Sequence, residues 1–163
     1  MIVGNHDQTS TAPGHHALAP LKAQAHIVED VEVFDIGPAQ IGLVGFRHRA
    51  GVLEALSRLD WAPKDGFRVL GVHLGIADER TPPFLRNASD SIALETIADA
   101  AAAHGITHVM AGNWHNPEDW TYNGVRVCQV GGLIPQRFGD THTAHGRVAL
   151  FDANTGEITF KCL

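Results

Sequence analysis

Three apolar runs in this chain break abruptly into polar turns that hold a histidine. They are Ile2-Val3 before Gly4-Asn5-His6-Asp7, Val69-Leu70-Gly71-Val72 before His73, and Val109-Met110-Ala111 before Gly112-Asn113-Trp114-His115. Between them lie segments of helical periodicity. Val52, Leu53, Leu56 and Leu59 predict a helix over about Ala50 to Leu59, and Leu94, Ile97, Ala98 and Ala101 predict another, ended by Gly105. Buried strands alternating with one-faced helices specify a layered α/β protein. In such a sheet the carboxyl ends of the strands share one edge, so the turns can face a common crevice, where a ligand would sit.

The other segments complete that picture. Val31 to Ile36 alternates apolar and polar residues, Ile41 to Phe46 is a short apolar run, and Gly37-Pro38 between them predicts two adjacent strands. Gly75 to Ala88 reads as a loop, with Asp90 or Ser91 capping the helix after it. Val125 to Val130 reads as a strand followed by a Gly-rich connection through Gly131-Gly132 and Pro135. Arg147 to Phe151 and Glu157 to Lys161, joined by Asn154-Thr155-Gly156, read as a β-hairpin. At 163 residues the chain is expected to form a single domain, 1–163.

The turn residues carry chemistry. Gly4 offers a backbone that can take positive φ, Asn5 an amide oxygen for a hard cation, His6 an imidazole that titrates near neutrality, and Asp7 a carboxylate able to orient that imidazole. Imidazoles and amide oxygens suit Mn²⁺, Fe²⁺ or Zn²⁺, and the lack of a paired Cys motif argues against a thiolate zinc site. His48, flanked by Arg47 and Arg49, ends another strand, where basic groups can touch a phosphate.

Other candidates take structural readings. His15-His16 read as exposed loop histidines, while His26, His104, His108, His142 and His145 match no ligand spacing. Trp114 and Trp120 read as packing residues, and Cys128 and Cys162 as reduced and buried.

A net charge of −6 argues against a general electrostatic grip on nucleic acid or an anionic membrane. A bound divalent ion would reverse that sign locally and draw in phosphate. No secretory signal or long apolar run is evident, so the reading is cytoplasmic, without membrane insertion.

The order Gly-Asn-His-Asp, then an isolated strand-end His, then Gly-x-x-His resembles the later motifs of the calcineurin-like metallophosphoesterases. The resemblance extends from residue 2 to about residue 152, taking in Val130-Gly131-Gly132 and Gly146 to Asp152. It implies a layered mixed β-sheet sandwich flanked by helices and a metal-dependent phosphoesterase acting through a metal-bound hydroxide. In that family two divalent ions, here expected as Mn²⁺ with Zn²⁺, Fe²⁺ or Mg²⁺ as alternatives, stabilise the attacking and leaving oxygens. Carried over, Asn5 and His73 bind one ion and His115 the other. His6 by the same comparison is the general acid or positions the phosphate; read from the residues alone, Asp7 is expected as its catalytic neighbour and Arg47 and His48 as substrate contacts.

This sequence departs from the family twice. Asn113 stands where the usual Gly-His-x-His has its first histidine, which favours a harder ion. The opening Asp-x-His and Gly-Asp-x-x-Asp motifs, which supply carboxylates, would precede Met1, so the chain reads as the carboxyl-terminal two-thirds of such a fold.

Three functional readings follow from these residues. The first is an incomplete phosphoesterase for a nucleotide, nucleic-acid or other phosphate ester, its missing strands supplied by a partner chain or lost through a late start codon or a split gene. The second is a non-catalytic interaction module that pairs through a sheet edge or self-associates. The third is a one-metal hydrolase using His73, His115 and Asp7.

Overall fold

The computed structural model describes residues 1–10, 14–63, 65–134 and 146–162. Pro135, His142 and His145 lie outside the described residues. The centre is a six-stranded mixed sheet built from β1 (Val31–Ile36), β2 (Ala39–Val44), β3 (Arg68–Val72), β6 (His108–Ala111), β7 (Glu118–Tyr122) and β8 (Val125–Gln129). Its spatial order is β1-β2-β3-β6-β8-β7. The inner strands β2, β3, β6 and β8 run parallel, and β1 and β7 close the edges antiparallel. The mixed sheet flanked by helices is the α/β architecture read from the sequence.

The parallel strands are apolar because both faces are covered. Helix α1 (Arg49–Leu56) packs on β2 and on α3 (Leu94–Ala103), which lies against β6, β7 and β8. Leu70, Val72, Val109, Ala111, Val125 and Val127 join one core with Val52, Leu56, Ile97 and Ala98. The hairpin of β9 (Arg147–Phe151) and β10 (Ile158–Cys162) docks at His108 and Phe67, with the Phe151 ring 5.2 Å from the first and 6.1 Å from the second.

Several local expectations change. Ile2-Val3 makes a single parallel bridge with Val28 instead of a sheet strand, although Val3 is buried as expected. The Gly75 to Ala88 loop contains a short strand, β4 (Gly75–Ala77), and a helical turn, α2 (Pro83–Arg86); β4 pairs with β5 (Ser91–Ala93). Helix α3 therefore starts after Ala93, which provides no side-chain cap. Asp90 and Ser91 are used elsewhere, and the Ser91 hydroxyl lies within hydrogen-bond reach of the Leu85, Arg86 and Ala88 carbonyls. His16 is buried, with Nε2 3.1 Å from the Glu29 carboxylate, and Cys162 is exposed while Cys128 is buried. No helix among the described residues is long and apolar enough to cross a membrane.

Candidate functional site

The carboxyl ends of β3, β6 and β8 lie along one edge, as parallel pairing requires. The segment Val3 to Asp7 is laid across that edge: the Phe46 N–H donates to the Val3 carbonyl at 2.8 Å, and the Val3 N–H to the Val28 carbonyl at 3.1 Å. A cleft of about 380 Å³ results, lined by Asn5, His6, Asp7, His73, Asn113 and His115 among others. The three strand-end turns thus meet in space.

Two members of this set are in direct contact. His73 Nε2 lies 3.0 Å from Asn5 Oδ1, across a separation of 68 residues. Asn5 Oδ1 also accepts the His6 backbone N–H at 3.0 Å. Glycine makes the approach possible. A Cβ on Gly4 would sit 3.0 Å from the His73 ring, and one on Gly112 would sit 3.1 Å from its Nδ1. Gly4 takes no positive φ, so its role is close approach and not the left-handed turn expected of it.

Asp7 closes the turn, accepting the Gly4 N–H at 2.8 Å. Burial lowers the His73 pKa below the ordinary imidazole value; Asp7 opposes that shift, His6 adds to it and Asp90 opposes it. A buried imidazole held neutral keeps a lone pair available for a cation.

Asn113 occupies the left-handed region at φ 76°, which asparagine tolerates better than most side chains. Its amide nitrogen lies 3.2 Å from the Asp90 carbonyl and 3.1 Å from the Asp90 carboxylate. Asn113 therefore has a structural task in shaping the turn. His115 follows on the same turn, its carbonyl accepting the Gly132 N–H at 2.9 Å.

The residue that holds this turn is one that the sequence reading does not single out. Gln129, at the end of β8, is 1% exposed. Its Oε1 accepts the Ile76 N–H at 3.0 Å, and its Nε2 faces the carbonyls of Ala111 at 3.2 Å, Gly112 at 2.5 Å and Trp114 at 3.3 Å. A glutamine closing the strand Val-Arg-Val-Cys-Gln just before Gly131-Gly132 is the available signal. A buried amide there must satisfy backbone.

The basic group after β2 is not brought into the cleft lining. Arg47 pairs with Asp30, which also holds Arg58. Arg49 donates to the Ser91 carbonyl at 2.8 Å and to the Ala88 carbonyl at 2.9 Å. His48 stands at the start of α1, its ring edge-on to Phe46 at 5.5 Å.

The donor set can be tested against a metal. Two neighbouring ligands at roughly 2.1 Å from an octahedral ion stand about 3 Å apart, because they subtend a right angle. Asn5 Oδ1 and His73 Nε2 have that spacing, 3.0 Å. A two-ion centre needs more. Among the described residues no group of three or more His, Cys, Asp or Glu side chains is placed to hold an ion. The residues present fit part of the shell of one divalent ion and do not fit the paired centre.

No family model matches the chain, and no curated protein matches it. Among solved structures it is similar to a Staphylococcus aureus protein provisionally named a 5'-nucleotidase, crystallised with alpha-ketoglutarate. That match is 16% identical with a TM-score of 0.44, and covers 82% of this chain and 28% of the other. It is also similar to the protein TT1561 of Thermus thermophilus, at 14% identity and TM-score 0.42, over 79% of this chain and 55% of that one. The chain thus spans less than two thirds of the length of either.

Proposed function

We propose that the cleft binds a phosphate ester and promotes its hydrolysis, with Asn5, His6 and His73 at its centre. The observation that carries this reading is the 3.0 Å approach of Asn5 Oδ1 to His73 Nε2 at the carboxyl edge of the parallel strands. Two such atoms, brought together from distant segments and buffered by glycines, form a cation-ready pair. With Nε2 protonated they make a hydrogen bond; with Nε2 bare, two lone-pair atoms face each other at 3.0 Å, a repulsion that a shared cation would relieve.

The chain's own residues divide the work. Asn5 and His73 hold one divalent ion, Mn²⁺ or another of similar hardness, and His115 lines the same cleft. Such an ion, when bound, neutralises phosphate charge and acidifies water. His6 lines the cleft and is exposed at its mouth, and in this reading it delivers a proton to the leaving oxygen. Asp7 fixes the turn that carries Asn5 and His6, so its contribution is positioning. Arg47, engaged by Asp30, is left out of substrate contact in this reading.

The test is hydrolysis of bis(p-nitrophenyl) phosphate with added Mn²⁺, alongside calorimetric Mn²⁺ binding. The expected results are metal-dependent turnover, a loss of roughly 100-fold or more in His6→Ala, typical of a lost general acid, and loss of Mn²⁺ binding in His73→Ala. Turnover that survives His6→Ala unchanged, or Mn²⁺ binding indifferent to His73, would overturn the reading.

A further inference from the structure

A second cavity, about 480 Å³, adjoins the cleft and shares Asn113, Trp114 and His115 with it. Its character differs. Where the cleft is built from polar turns, this cavity has Ile76 and Leu85 among its lining, together with two indoles, Trp114 and Trp120. Phe84 stands at its rim, 75% exposed.

That phenyl group is not on a slack loop. Helix α2 is tied by Arg86, whose guanidinium reaches the Glu79 carbonyl at 2.7 Å and the Thr81 carbonyl at 3.0 Å, and by the Ser91 hydroxyl at its end. Trp120 is held by its indole N–H, 3.2 Å from the Asp78 carboxylate. Trp114 is seated on Gly75, where any Cβ would overlap its ring. The two indoles and the helical turn that carries Phe84 are thus fixed before any ligand arrives, which lowers the cost of stacking there.

The rim supplies edge-directed polar groups. Arg80 bridges Asp78 at 2.6 Å and Glu118 at 3.3 Å, placing donor and acceptor side by side. Flat apolar walls with mixed hydrogen-bonding groups at the edge suit a heteroaromatic ring better than an alkyl chain, which could use only the walls. The volume is within the range of small-molecule sites.

We infer that this cavity receives a nucleobase, the planar end of a nucleotide-type phosphate ester whose phosphate lies in the cleft beyond Trp114. The inference rests on the proposed function for the position of the phosphate, but the cavity can be tested without it. Binding of adenosine, adenosine 5'-monophosphate, hexyl phosphate and inorganic phosphate is followed by calorimetry and tryptophan fluorescence in wild type, Phe84→Ala, Phe84→Tyr and His73→Ala.

Adenosine is expected to bind without metal, to bind about 10-fold more weakly in Phe84→Ala, as loss of one stacking partner implies, and to recover in Phe84→Tyr. Its affinity is expected to be unchanged in His73→Ala. If phosphate binds through His73 but adenosine does not bind, the nucleobase inference is overturned while the phosphoesterase reading stands. Adenosine binding without phosphate binding supports the cavity and removes the phosphoesterase reading. Hexyl phosphate matching adenosine 5'-monophosphate in affinity, with no response to Phe84→Ala, would show a general apolar slot and overturn the inference.

Discussion

The Trp114 indole occupies the space that a side chain on Gly75 would need. One residue opens β4 and the other follows β6, so the contact locks the short β4-β5 pair against the end of the main sheet. Gly75 lies outside the positive-φ residues, so the constraint is steric alone. Gly75→Ala is expected to destabilise the fold by about 1–3 kcal/mol, the usual range for overpacking. It should also change tryptophan emission as Trp114 is displaced. Urea unfolding checks the first effect and fluorescence the second; an unchanged midpoint and spectrum would refute the interlock.

Gln129→Leu should be among the most damaging single substitutions in the sheet. It removes the acceptor for the buried Ile76 N–H and the donor to the carbonyls of residues 111, 112 and 114. The Ala111 and Gly112 carbonyls keep the Val130 and Trp114 N–H donors, so the groups left orphaned are the Ile76 N–H and the Trp114 carbonyl, each costing about 1–3 kcal/mol. If the variant folds, Mn²⁺ and phosphate should bind more weakly, because the turn carrying Asn113 and His115 has lost its clamp. Equal stability and equal binding would show that the turn holds itself.

Acid should weaken the fold in part through His73. Burial, the largest influence, lowers its pKa in the folded state, so between the ordinary value near about 6.5 and that lower value the unfolded chain binds the proton more readily. Stability from this group is complete above the ordinary value and is lost as pH falls through the window. His108, also lowered chiefly by burial, acts with the same sign. Urea midpoints measured on either side of that window, in mildly alkaline and mildly acidic buffer, should drop less in His73→Gln than in wild type; equal drops would exclude the effect.

The cysteines should respond unequally to alkylation. Cys128 is buried, and desolvation raises its pKa to about 11, so little thiolate forms. Cys162 is exposed on β10. Brief iodoacetamide treatment of the native protein should add one label, at Cys162, and unfolding should expose the second site. Mass spectrometry of intact protein and peptides reads both.

What is legible in the sequence follows burial. The parallel strands and both long helices announce themselves because apolar periodicity records the faces they cover, and the shared carboxyl edge follows from parallel pairing. β7 gives no such signal, because an exposed edge strand, Glu-Asp-Trp-Thr-Tyr, half-buries only Trp120 and so lacks alternation. β4 and β5 are too short to show a period. His16 reads as an ordinary loop histidine, but its burial depends on Glu29, which also accepts from Lys22 at 2.7 Å and from the Gly14 N–H at 2.6 Å. At the site, residue types in the turns point to Asn5, His73 and Asn113, whereas Gln129 and Asp90 stay hidden because their partners are backbone atoms and an amide distant in sequence.

The manner in which Val3 is fastened bears on how the cleft breathes. Val3 to Asp7 carry Asn5 and His6, yet the segment is held by a few main-chain bonds, to Val28 and Phe46 at one end and from the Ala17 N–H to the Asp7 carbonyl at the other, and by one buried valine. Such a flap opens sub-globally, at a fraction of the free energy that melts the sheet. Half of the Asn5–His73 pair leaves with it, so closing the flap and filling the cleft are one coupled equilibrium. A ligand bridging the two would slow amide exchange at Val3 and Val28 in proportion to its occupancy and leave Leu70 and Val109 untouched. A strip fastened by so few main-chain bonds would then serve as the reporter of its own binding.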